Sequence, residues 1–253
     1  MTPHKHAAKH PEIWRRFSPR QTLLRFAWYL GIVAVAVWSI SAMDITWFFL
    51  LDAHVQALDM ATRMWPPEVG YFRELVMPLI ETIHIATMGT VATVLVAFPV
   101  AFLAARNTTF NSLTWFIGRF ILVASRSVNT VVWGLLFVAV FGPGPLAGIW
   151  AITLRSIGFL GKLVAEAIEE IDAGVVEAIE STGASRLQVL WIGILPQILP
   201  VIYGTTVYRW DINIRESSVL GFVGAGGLGI ILSAAINQFM WQAVSVILIG
   251  VFF

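Results

Sequence analysis

The chain is organised around charge-free apolar runs of about 18 residues or more, the length at which a helix spans a bilayer. The first runs from Phe26 to Met43, and the second from Thr82 to Ala105 with only His84 as a titrating group. Ser127 to Leu154 is also free of charge, but Gly142-Pro143-Gly144-Pro145 interrupts it. Two prolines beside two glycines make a tight turn, which predicts one helix over about 127–141 and another over about 146–165, past Arg155 and Lys162. A fifth run starts at Pro196 and must continue to about Leu220 to cross. A sixth, over about 240–253, offers about 11 apolar residues from Ala243, reaching roughly 16 Å, so the sequence reads as truncated at its C-terminus.

Lys and Arg set the orientation of these six spans. The first 25 residues form a tail holding Lys5, Lys9, Arg15, Arg16, Arg20 and Arg25, whereas the segment 44–81 carries six acidic residues against Arg63 and Arg73. The tail is therefore expected in the cytoplasm and 44–81 outside. Alternation puts 106–126 inside with Arg106, Arg119 and Arg126, the Gly-Pro turn outside, 166–195 inside and 221–239 outside. A cleaved signal peptide fits poorly, because the first apolar core is too long and Met43-Asp44-Ile45 is no small-x-small site. His4, His6 and His10 read as part of a mobile polar tail rather than a metal tract.

Composition narrows the class. Hydrophobic residues make up 58% and charged residues 12%, with mean hydropathy +0.79, whereas a soluble domain carries about 25% charged residues. Such a chain is an all-α polytopic membrane protein, with residues 26–253 forming its transmembrane domain. A net charge of +1 argues against phosphate neutralisation on nucleic acid. With no cysteine there is no disulfide framework, thiol nucleophile or cysteine metal site.

The cytoplasmic connection 166–195 reads as two short helices at an angle. Asp172 can cap a helix over Val175 to Ser181, with Glu177 and Glu180 on one face. Gly183 stands where a left-handed residue ends it, and Ser185 can cap a second helix carrying Arg186. Lipid-surface helices favour basic residues, whereas this segment is mostly acidic and is better suited to a protein partner than to anionic lipid.

Glu177-Ala178, then Gly183, then Ile194-Leu195-Pro196, resembles the EAA loop of ABC-importer permeases. The glycine stretch 222–229 resembles that of methionine-type and phosphonate-type importers. Arg126-Ser127-Val128-Asn129, the turn 142–148 and the segment 208–215 are similar to phosphonate permeases in particular. The likeness covers roughly residues 80–240. It implies a type I ABC importer permease fold in a bacterial inner membrane, with one extra N-terminal helix. It also implies a coupling role for Glu177, Ala178, Gly183, Ser185 and Arg186 against a cytoplasmic ATPase. The expected assembly has two such ATPases carrying ATP and Mg, a second permease copy or paralogue, and an extracytoplasmic solute-binding protein, with transport by alternating access.

This chain itself lacks a nucleotide site. Gly161-Lys162 is followed by Leu163, with no hydroxyl for a phosphate-binding loop. Gly224-x-Gly226-x-x-Gly229 formally matches the dinucleotide fingerprint, yet no strand precedes it and no acid lies about 20 residues on. Gly224, Gly226, Gly227 and Gly229 are expected instead to serve close backbone packing or a gate at the outer mouth. No catalytic constellation and no bound cofactor is expected.

The fifth span carries Arg209, Asp211, Arg215 and Glu216. Charge near the bilayer centre costs at least about 2.5–3.5 kcal/mol, so these residues must face protein or water. Asp211 and Arg215 are four apart and can pair, whereas Arg209 shares a face with Glu216, seven positions on. One reading is ion pairs that fix packing. The other is a polar path in which Arg209 and Arg215 attract an anion, Asp211 and Glu216 moderate it, and Asn213, Asn129 and Arg126 line it. His84 is expected to be a packed polar group. The best overall reading is a permease subunit moving phosphonate or a related phosphorus oxyanion. An ion-coupled transporter or channel is the alternative, and a membrane enzyme a more distant one.

Overall fold

The computed structural model describes residues 18–43 and 46–252. The basic tail, the histidine tract, Met43-Asp44-Ile45 as a cleavage site, and Phe253 therefore lie wholly or partly outside the described residues. The chain divides into two compact units, one ending at Asp59 and the other starting at Met60.

In the first unit, α1 (Pro19–Ala42) starts seven residues earlier than the apolar run suggested. The reason is a reciprocal cap: the Ser18 N–H donates to Gln21 Oε1 (3.0 Å) and the Gln21 N–H to Ser18 Oγ (3.3 Å), with Pro19 at the first helical position. None of its residues is buried, as suits a helix whose apolar surface meets lipid. The segment expected as an outer loop contains a second helix, α2 (Trp47–Met64), spanning the boundary between the units. Its interspersed Asp52, His54, Asp59 and Arg63 hid it from a search for charge-free runs.

The second unit is a helical bundle. α3 (Phe72–Ala104) is followed by α4 (Ser112–Ser127), α5 (Thr130–Phe141) and α6 (Pro145–Glu169). Then come the short α7 (Ala173–Glu180), the long α8 (Leu195–Leu220), α9 (Leu228–Asn237) and α10 (Trp241–Phe252). Among the described residues, four helical stretches are long and apolar enough to cross a membrane, starting at Pro19, Val69, Pro145 and Arg186. A fifth results if α4 and α5, which meet at 92°, count as one broken span.

That bend corrects the expected third span. Residues 106–126, read as a loop on charge, are largely helix, and residues 127–141 do not form a separate crossing. Asn129 makes the break. Its backbone is extended, and its Oδ1 accepts from the Val131 N–H (3.0 Å), so one helix ends and another is capped within two residues. At about 1.5 Å per residue, the 12 residues of α5 reach only about 18 Å. The expected sixth span is the 12-residue α10, and the 221–239 segment expected as an outer connection contains α9; both pack on the start of α3 through Leu75, Leu228, Ala235, Val244 and Ile247.

α3 and α6 form the centre of the bundle and approach through small residues, as helices do where lipid supplies no hydrophobic drive. Thr93 Oγ1 donates to the Gly89 C=O (2.6 Å), and Thr153 Oγ1 donates to the Ile149 C=O (2.7 Å). A Cβ on Gly89 would stand 2.8 Å from Ile152 Cγ2, and one on Gly148 would stand 2.5 Å from the Ala225 carbonyl oxygen. The first lets α6 side chains press on the α3 backbone, and the second lets the glycine turn after α8 press on α6. We expect Gly148→Val to lower stability by about 1–3 kcal/mol through overpacking, without loss of helicity. Thermal unfolding of the purified protein in detergent, followed by circular dichroism, checks this; an unchanged midpoint would show that the 145–148 turn can move aside.

Candidate functional site

The site forms because α8 carries polar side chains at helical spacing on its inward face. Arg209, Asn213 and Ser217 recur every four residues, and all three are buried. Arg209 lies about 21 Å along α8 from Leu195, deep in the bundle, and is only 5% exposed.

The polar groups there are satisfied within α8 and by neighbouring helices. Arg209 Nη2 pairs with Glu216 Oε1 at 3.2 Å, and Thr130 Oγ1 at the start of α5 donates to Glu216 Oε2 at 2.7 Å. Arg209 Nε donates to Ser156 Oγ on α6 (2.9 Å), and Ser156 Oγ donates to Asn213 Oδ1 (3.1 Å). Asn213 Nδ2 donates to Thr90 Oγ1 on α3 (2.8 Å), which donates to the Ala86 C=O (2.7 Å). One hydrogen-bonded chain thus runs through α5, α8, α6 and α3. The Arg209 guanidinium also lies 5.6 Å from the centroid of the Phe159 ring.

The other pair faces the opposite way. Arg215 Nη2 meets Asp211 Oδ2 at 2.6 Å, with side chains 63% and 58% exposed. Arg209 and Arg215 are therefore not two cationic centres in one cavity within this chain. One is neutralised inside the bundle, and the other is paired on its outer face.

A cavity of about 410 Å³ opens beside Arg209, lined by Val123, Arg126, Ser127, Arg155 and Phe159. It brings Arg126 next to Arg209, although they are far apart in sequence. Arg155, passed over in the sequence as a charge within a span, joins them. Its signal was there: it lies about 15 Å into α6, where a guanidinium needs a reason. Asn129 acts as the cap at the α4–α5 break and is exposed. His84 is exposed as well, contrary to its reading as a packed group. Its neighbours one turn away, Ile80 and Thr87, are exposed and half-buried respectively.

The glycine stretch is a buried turn. Gly224, Gly226 and Gly227 have φ of 88°, 90° and 74°, values that side chains disfavour. The Gly144 N–H donates to the Gly224 C=O (2.9 Å), and the Leu228 N–H donates to Thr82 Oγ1 (2.9 Å). Gly229 packs directly against Gly221. The geometry is that of close packing onto α3 and the 142–145 turn.

The segment after α6 has the expected bend with one difference. The Gly174 N–H donates to Asp172 Oδ1 (2.8 Å), which caps α7, and Gly183 takes φ of 81°. The second short helix is not separate: one turn, Arg186–Gln188, runs through the π-helical residues Val189–Ile194 into α8. A π-turn changes the hydrogen-bond register just ahead of Pro196, which has no N–H to give. Ile179 and Val176 rest on this run beside Gly193, while Glu177, Ala178, Gly183, Ser185 and Arg186 stay exposed.

Fold and site together define a polytopic helical membrane component. The chain belongs to the family described as binding-protein-dependent transport system inner membrane component, whose model matches residues 97–253. Its relatives include the phosphite transport system permease protein PtxC of Stutzerimonas stutzeri, 39% identical over 87% of this chain and 79% of that one. The putative phosphite transport system permease protein HtxC of the same organism is 40% identical over 79% of this chain and 70% of its own length. Among solved structures, the fold matches a chain of the inward-facing MetNI methionine ABC transporter. The TM-score is 0.61 at 22% identity, over 70% of this chain and 87% of that one. It also matches a chain of a bacterial ABC transporter involved in alginate import, with TM-score 0.55 at 17% identity, over 88% and 92% of the two chains.

The two ion pairs should respond differently to substitution. Arg209→Met leaves Glu216 without its partner and should cost about 3–5 kcal/mol, most of it recovered in the Arg209→Met/Glu216→Met double variant. Asp211→Ala, at an exposed helical pair, should change stability by only about 0.3–0.5 kcal/mol. Unfolding of the three variants and the wild type in one detergent gives the comparison. Equal losses at both pairs would refute the distinction between them.

Proposed function

We propose that the chain is the permease subunit of an ATP-driven importer that carries phosphite, phosphonate or a related phosphorus oxyanion into the cytoplasm. The observation that carries this reading is its 39–40% identity, over about four-fifths of its length or more, to two permeases named for phosphite transport. A relative in Mycolicibacterium smegmatis named as a phosphate-import permease protein, 38% identical over 82% of this chain, points to the same chemical class.

The protein works by alternating access, with its N-terminus in the cytoplasm. ATP and Mg are held by two partner ATPases, and an external binding protein delivers the anion. The exposed, acid-rich segment from α7 to Arg186 is the dock for an ATPase. The π-helical run joins that dock to α8 without a flexible linker, so a push on α7 is carried into the helix that holds Arg209. A second permease copy covers the outer face of α8. This is supported by the Asp211–Arg215 pair, which lies about 24–30 Å along a span and would otherwise face lipid.

Uptake of labelled phosphite tests the reading, in cells stripped of their own phosphorus-oxyanion importers and supplied with this chain, its ATPase and its binding protein. Uptake that persists with an ATPase unable to hydrolyse ATP would overturn it. Within that system, Gly183→Val should abolish most transport and weaken retention of the ATPase. Nothing lies within 4 Å of a Cβ at Gly183, so strain at φ of 81° is the whole effect. Gly183→Asn, which tolerates the left-handed region, should retain much of the activity. Equal activity for Val and Asn would remove this residue from the coupling element.

A further inference from the structure

Arg209 and Arg215 have carboxylate partners, and so has Arg119, whose Nη2 meets Glu169 Oε1 at 2.9 Å. Arg126 and Arg155 do not. Among the described residues no carboxylate lies within ion-pair distance of either, yet both line the same cavity. Arg126 is exposed and Arg155 half-buried, and two unpaired guanidinium groups lining one open pocket concentrate positive charge in it. The missing component is negative charge.

We propose that Arg126 and Arg155 form a binding site for a tetrahedral oxyanion, with Arg209 as a neutralised positioning residue beside it. The local structure prepares both forks. Gly158 leaves room for Arg126 to lie against α6, since a Cβ there would stand 2.5 Å from Arg126 Cγ. The Arg155 Nη1 group donates to the Arg126 C=O at 3.0 Å, which anchors Arg155 to the C-terminal end of α4. That uses one of its five N–H donors, and the remainder are available for a planar, bidentate grip on an oxyanion. The volume of about 410 Å³ holds roughly a dozen waters at about 30 Å³ each, so an anion fits with part of its hydration shell. Phe159 and Val123 form the apolar wall. A partly hydrated anion on two arginines is held firmly enough to enter and loosely enough to leave.

The site deepens the transport assignment and rests on it for its role, though not for its chemistry. The test uses the purified full chain in lipid nanodiscs, with sodium phosphite as probe and sodium chloride at matched ionic strength as control. Phosphite at millimolar concentration should raise the melting temperature of the wild-type chain by at least about 2 °C. Arg126→Gln and Arg155→Met should each weaken binding at least about tenfold and abolish the shift, and Arg155→Lys should retain part of it. Without phosphite, Arg155→Met should melt at the wild-type temperature or higher, because it removes an unpaired charge; a residue holding helices together would do the opposite.

No shift in the wild type, or an undiminished shift in both Arg126→Gln and Arg155→Met, overturns the site. So does stabilisation by phosphatidylglycerol nanodiscs with no response to free phosphite, which would assign the pocket to a lipid headgroup. Phosphite uptake by the assembled transporter is measured in parallel. If uptake is absent while the arginine-dependent shift persists, the oxyanion site stands and the transport assignment falls. If uptake is normal in both arginine variants, the transport assignment stands and the site does not.

Discussion

The bundle depends on one buried charge. Arg209 sits in the middle of a long apolar helix, where an unpaired guanidinium would be hard to keep folded. Glu216 neutralises it, Thr130 holds Glu216, and Ser156 and Asn213 pass hydrogen bonds on to Thr90. Because Thr130, Ser156 and Thr90 stand on three other helices, satisfying the Arg209–Glu216 pair and Asn213 fixes the rotation of α8 against α5, α6 and α3. A rotation of α8 by one residue, about 100°, would leave several of these groups without partners at once. Apolar packing brings the helices together, whereas this network selects how they face.

The small residues of α3 and α6 make that selection possible. Hydrogen bonds of about 3 Å between side chains as short as Ser, Thr and Asn require close helix axes. The close axes come from Gly89 and Gly148, where an added Cβ would stand 2.8 Å from Ile152 Cγ2 and 3.1 Å from Ile85 Cγ2. The glycine turn after α8 extends the same principle to the end of the helix, where Leu228 is tied to Thr82. At the other end, the π-helical residues before Pro196 carry the chain out of the bundle into the exposed segment without a flexible linker. The buried network and the exposed bend are therefore joined by one continuous helical run.

Much of this was legible in the chain. Charge-free runs revealed α1, α3, α6 and α8 because lipid demands apolar length, which is a property of sequence alone. Asp172, Gly183 and Ser185 announced a bent segment, since capping and left-handed turns are local chemistry. The four-residue spacing of Asp211 and Arg215 and the seven-residue spacing of Arg209 and Glu216 placed each pair on a common face, because both lie within one helix. α2 escaped because its charges interrupt its apolar residues. The break between α4 and α5 escaped because neither half is long enough to be distinguished from a span and its loop.

What the sequence could not decide was which charges are satisfied. Both pairs on α8 look alike on a helical wheel, yet one is enclosed and the other faces out, a difference set by where α3, α5 and α6 stand. Arg155 carries no local mark separating it from any other charge in a span. Its position beside Arg126 arises from the 92° bend and the close approach of α4 to Gly158. Helical spacing fixes faces, because it depends only on the 3.6-residue repeat. Charge balance in a cavity depends on side chains from three helices at once, and only their tertiary packing brings those together.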